Sequence, residues 1–171
     1  MRRFLLLIVP LALLALPVAS ASAANTVTGA CQIGGAAQFS PTGLQNTPQT
    51  LGYDFSGTGT CSGTLNGVQV VSAPVTAHAS GSGTLSCAGA VSTGGTGTIT
   101  FVSQGVTVGF GVTLVGSGSE VEIALTGNGG GAGAGHATFA TNGARATECA
   151  NPTGLNNLGF VVVASAANLT G

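Results

Sequence analysis

The sequence predicts an all-β fold: an antiparallel β-sandwich of about ten short strands stapled by two disulfides, with a β-barrel and then a β-solenoid as alternatives. Three observations carry this. Apolar and polar residues alternate with a period of two over most of the chain, glycine-rich turns recur about every ten residues, and the four cysteines form an even set. Composition agrees, since the 148 residues from 24 onward hold 30 Gly, 22 Thr, 20 Ala and 12 Ser, while the Leu, Glu, Lys and Arg that usually cover helices are scarce. Helices are therefore not expected.

The first 23 residues read as a signal peptide, leaving residues 24–171 as one secreted domain. Arg2 and Arg3 precede an apolar stretch over residues 4–18, and Ala21-Ser22-Ala23 has the small-x-small form of a cleavage site. Pro10 and Pro17 break that stretch, which is shorter than the roughly 20 residues a spanning helix needs. Cys31 lies too far beyond it, and in the wrong context, to be lipid-modified.

The first two strands fix a register. Over residues 31–40 the odd positions are Cys31, Ile33, Gly35, Ala37 and Phe39; over 51–62 they are Leu51, Tyr53, Phe55, Gly57, Gly59 and Cys61. Each strand thus has one apolar face. A turn-rich loop over 41–48 separates them, which predicts an antiparallel hairpin. Placing Phe39 opposite Tyr53 places Cys31 opposite Cys61 in the same alignment, so the favoured disulfides are Cys31–Cys61 and, from what is left, Cys87–Cys149.

Asn66-Gly67 then predicts a two-residue turn into a strand over 68–79, with Val71, Ala73, Val75 and Ala77 inward and Ser72, Thr76 and His78 outward. Leu85, Cys87 and Val91 line a further strand before a turn at Gly94-Gly95. Residues 96–102 form the next strand, Gln104-Gly105 a turn, and Val106, Val108, Phe110, Val112 and Leu114 one face of another. Beyond Gly116-Ser117-Gly118-Ser119, Val121, Ile123 and Leu125 point inward and Glu120 and Glu122 outward. Residues 128–135 hold five glycines in eight and predict a mobile loop. Residues 136–141 and 144–149 make a short hairpin about Asn142-Gly143. The final strand, 158–164, is apolar on both faces and reads as well buried. Thr-x-Thr pairs stand at 26/28, 58/60 and 96/98/100, without the fixed period of a solenoid.

Charge excludes several functions. After the leader, Arg145 is the only strong cation against Asp54, Glu120, Glu122 and Glu148, and no Lys occurs at all. Such a surface cannot neutralise phosphates, so nucleic acid is no partner and the processed chain has no affinity for anionic membranes. Nucleophile elbows, dinucleotide fingerprints and zinc-type cysteine spacings are all missing, and no cofactor or metal is expected. Glu120 and Glu122 would lie about 7 Å apart on one strand face, a spacing at which two carboxylates flank a glycosidic bond. His78, His136 and Asp54 are the other polar surface candidates. Asn168-Leu169-Thr170 fits a glycosylation sequon.

The segment from Cys31 to Phe39-Ser40-Pro41, then Tyr53-Asp54-Phe55-Ser56-Gly57-Thr58-Gly59-Thr60-Cys61-Ser62-Gly63 and Leu85-Ser86-Cys87, resembles small secreted β-rich proteins of actinobacteria that have no assigned function. The resemblance implies an exported β domain and transfers no catalytic residue. The expected function is a non-enzymatic extracellular domain, secreted or held at the cell surface, that binds or adheres to a protein or glycan. The alternatives are a glycan hydrolase using Glu120 and Glu122, and ice or polymer-surface binding by the Thr-x-Thr rows.

Overall fold

A computed structural model describes residues 24–117, 120–140 and 143–171 and, for residues 91, 92, 143 and 144, the backbone alone. The expected leader lies outside the described residues, as do Gly118, Ser119 and Asn142 of two expected turns. Eight strands form: β1 (Thr26–Ser40), β2 (Gln49–Leu65), β3 (Val68–Ser86), β4 (Gly89–Phe101), β5 (Val106–Ser117), β6 (Glu120–Gly127), β7 (Gly130–Phe139) and β8 (Asn157–Thr170). One helix, α1 (Gly143–Ala150), stands between β7 and β8.

Each strand pairs antiparallel with its sequence neighbours, and β8 returns to pair with β1, closing an up-and-down barrel. The all-β expectation therefore holds, and its layout is the barrel alternative rather than the sandwich. Closure leaves no strand edge unpaired, which a two-sheet sandwich does not achieve. Stagger sets its width. Stepping across the partners from Phe39 through Tyr53, Gly81, Gly95, Val112, Leu125, Gly133 and Ala166 returns to β1 at Gly29, ten residues from the start. For eight strands that shift implies a tilt of about 40° and a backbone radius of about 8 Å.

Both disulfides pair as expected, and no free cysteine remains among the described residues. Cys31 and Cys61 are direct cross-strand partners with Cα atoms 4.1 Å apart, in the register that also sets Phe39 against Tyr53. The Asn66-Gly67 turn forms with both residues at positive φ, 52° and 78°.

Several element boundaries differ from the sequence reading. β4 runs straight through Gly94-Gly95, and the expected strands over 68–79 and 85–91 are replaced by one long β3 that turns into β4 at residues 87–88. The glycine run over 128–135 is mostly strand β7, because β6 and β8 supply backbone partners on both sides and small residues fit between them. Residues 144–149 belong to α1 rather than to a hairpin strand. Val71 is exposed rather than inward, since a bulge opposite Cys61 and Gly63, with Ser72 at φ 48°, hands the inward position to Val70. In β8, Val162 is partly buried against the core but Val161 and Val163 face out, each 43% exposed, because a barrel strand has only one covered face.

The two ends of the barrel differ. At one end the connections are short, and Phe101, Val108, Val75 and Leu169 pack almost without exposure. There Asn25 and Gly171 exchange backbone hydrogen bonds of 3.1 and 2.9 Å. At the other end, α1 and the loop over 41–48 lie across the opening. Leu44 and Leu155 exchange backbone hydrogen bonds, Cys87 donates its N–H to the Gln45 carbonyl, and Cys87–Cys149 ties α1 to the β3–β4 turn.

Candidate functional site

The inward residues alternate large and absent side chains. The phenol oxygen of Tyr53 rests where Cβ atoms on Gly81 and Gly95 would come within 2.6 and 2.5 Å, and the Phe110 ring lies against Gly97 in the same way. Rings laid flat on glycine do not reach the barrel axis, so this pattern opens a space that larger residues would close. The result is an apolar cavity of about 170 Å³ lined by Ile33, Phe39, Tyr53, Phe110, Leu125 and Val162, among others. It is close in size to an engineered apolar cavity of about 150 Å³ that stays dry and binds benzene.

Aromatic side chains and one cation stand at the helix end of this space. Phe55 and Phe160 have ring centroids 4.3 Å apart, and Phe139 meets Phe160 edge-on at 6.0 Å. The Arg145 guanidinium sits over the Phe139 ring, 5.8 Å from its centroid, and donates a hydrogen bond to the Cys87 carbonyl at 3.3 Å. Arg145 also lines the cavity, so the one strong cation after residue 3 is fixed at its rim by the helix that the disulfide holds.

Among the described residues, the hydroxyls of Tyr53 and Thr93, in residues 7% and 3% exposed, are buried in the barrel wall without a well-formed hydrogen bond. The Tyr53 oxygen, packed against Gly81 and Gly95, presents no surface to the cavity. Burial pushes the Tyr53 phenol above its ordinary 10.0, an effect partly offset by the Thr93 hydroxyl beside it. The two hydroxyls are neighbours, but not in hydrogen-bonding geometry. Sequence reasoning named Tyr53 only as an apolar-face residue opposite Phe39, and did not name Thr93. The signal was present in the alternation that set Tyr53 inward, although nothing local marked its hydroxyl as unpartnered.

The residues singled out from the sequence all lie on the outer wall, in two separate places. Asp54 and His78 form a pair, Nε2 to Oδ2 at 3.0 Å, with about half of each side chain exposed. Glu122 stands directly across from His136 on β7, and Glu120 across from Thr138; all four are exposed. Strands β2 and β6 occupy opposite sides of the barrel, so the two groups do not converge. Among the described residues, no three His, Cys, Asp or Glu side chains gather as a metal site. Asn168 of the sequon has φ 53°, and its side-chain oxygen accepts a hydrogen bond from the Thr28 hydroxyl at 3.0 Å.

The threonines do share a surface. Thr58, Thr76, Thr100 and Thr107 are successive cross-strand partners from β2 to β5, with Thr60, Thr96 and Thr98 on the same outer face. Thr100 and Thr107 share a hydrogen bond of 2.9 Å. Comparison with family models, with curated proteins and with solved structures finds no match to this chain.

Proposed function

We propose that this protein is a non-enzymatic extracellular binding domain that holds a small, largely apolar molecule inside its barrel. The cavity carries the reading. A closed eight-stranded barrel can be filled by its own side chains, and here glycines at inward positions keep it open instead. The leader-like start and the fully paired cysteines support export. Outward strand positions carry mainly Thr, Ser and Gly, which supports a water-facing exterior over the apolar band of a lipid-embedded barrel. The exposed setting of Glu120 and Glu122 on the convex outer wall favours binding over hydrolysis, since no pocket among the described residues encloses a substrate beside them.

Thermal unfolding in the presence of toluene, cyclohexane or hexanol tests this. At least one probe raises the melting temperature of the wild type, and the cavity-filling substitutions Ala79→Leu and Ala77→Val reduce that rise. Stabilisation by none of the probes, or stabilisation unaffected by both substitutions, refutes the reading.

The threonine row supports a second role, contact with an extracellular polymer such as a glycan. The wall turns by about 45° from one strand to the next, so a flexible chain follows the row better than a flat ice face does. Polymer pull-down that is unchanged in Thr58→Lys and Thr76→Lys variants counts against it.

A further inference from the structure

Arg145 is the one strong cation after residue 3, in a chain that has no Lys. Charged side chains ordinarily stay in water, as Asp54, Glu120 and Glu122 do on the outer wall, yet Arg145 is among the residues that line the interior cavity. Its guanidinium carbon lies 5.8 Å from the centroid of the Phe139 ring, and its Nη2 donates to the Cys87 carbonyl at 3.3 Å. Its backbone belongs to the first turn of α1, where no acidic side chain stands and the helix dipole adds positive potential. Cys87–Cys149 ties that helix to the β3–β4 turn, so the charge has a fixed place at the mouth. Glu148, further along α1, is exposed and does not line the cavity.

We infer that the interior ligand is an amphipathic anion: a single ring or short hydrocarbon chain that fills the cavity, with one carboxylate at the mouth against Arg145. This rests on the interior-binding reading above. Cavity size sets the apolar part, since about 170 Å³ is close to the space that takes benzene. The position of Arg145 sets the charged part. A carboxylate deep in the barrel would lose its hydration with no opposite charge to meet it. At Arg145, which is only partly buried, it meets that charge and keeps water on its outer side. The planar fork of N–H donors suits the two oxygens of a carboxylate. From Arg145 the lining continues through Phe139, Phe160 and Phe55, each ring against the next, so the rest of the ligand passes from the charge onto hydrocarbon.

Benzoate, benzamide and toluene share one ring and differ in the charge and polarity of a single substituent. Calorimetric or NMR titration of the three into the wild type, Arg145→Gln, Arg145→Lys and Ala79→Leu is the experiment. The wild type takes benzoate more tightly than benzamide, and added salt narrows the difference. Arg145→Gln weakens benzoate by about tenfold, the loss of a charge-assisted hydrogen bond, and leaves toluene unchanged. Arg145→Lys, which keeps the charge, recovers part of the loss. Ala79→Leu weakens benzoate and toluene alike, because both occupy the barrel interior. If Arg145→Gln fails to fold, the order of benzoate and benzamide in the wild type decides. Toluene binding with benzoate no tighter than benzamide, or with benzoate indifferent to Arg145→Gln or to Ala79→Leu, overturns the anion and leaves the interior site standing. Binding of none of the three to the wild type overturns both.

Discussion

Gly94 and Gly95 are adjacent on β4, and alanine at each should push stability in opposite directions. A Cβ at Gly94 points outward and meets nothing within 4 Å. There alanine only narrows the unfolded ensemble, which stabilises by about 0.4–1 kcal/mol. A Cβ at Gly95 points inward, 2.5 Å from the Tyr53 hydroxyl, 2.9 Å from the Gly81 Cα and closer still to the Ser80 carbonyl oxygen. The phenol oxygen terminates a ring that has little room to swing, and the other two atoms are backbone. Overpacking of this kind costs about 1–3 kcal/mol. The swing between neighbouring substitutions is thus about 1.5–4 kcal/mol. Urea unfolding of both variants measures it through the midpoints, provided the m-values match the wild type. Equal shifts, or a stabilising Gly95→Ala, would refute the claim that inward glycines are there to seat the rings.

Ultraviolet absorbance follows the lone tyrosine without interference from another. Its folded-state pKa is raised above 10.0, so the phenol should ionise only at a pH above that of free tyrosine. A raised folded pKa means that this contribution to stability is complete below pH 10.0 and is lost as the pH climbs through the folded value. An ordinary midpoint in the folded protein contradicts the buried placement. Replacing Cys87 and Cys149 together by serine opens a loop of 62 residues and should cost about 4 kcal/mol on the loop-entropy model. Amide exchange in α1 should accelerate before that of the strands, and unchanged exchange there would show that the disulfide does not hold the helix down.

Local pattern carried the strand faces well, and the reasons for the failures are physical. Cys31–Cys61 and Phe39–Tyr53 were legible together because a hairpin register is a short-range constraint. Closure was not, since it depends on β1 meeting β8 from the far end of the chain, and no neighbouring residues encode that pairing. Strand β7 hid behind its glycines, which have no preference for extended backbone and become strand only because both flanking strands are in place. Helix α1 is barely two turns long, too short for a periodic signal, and is anchored by a disulfide and Arg145 instead. The cavity follows from closure plus the inward direction of particular glycines. Alternation could show that direction, but it could not show what would lie opposite. Asp54 and His78 were visible as polar surface residues, yet their pairing needed the β2–β3 register.

The mutual hydrogen bonds of Asn25 and Gly171 put the two ends of the folded domain side by side, at the pole away from α1. A peptide bridge of a few residues could therefore join them, with new ends cut into the turn over 102–105, and such a circular permutant should retain the barrel. The same geometry recommends either terminus for grafting to a bead or sensor chip, because tethering there leaves the helix-covered mouth facing the solution.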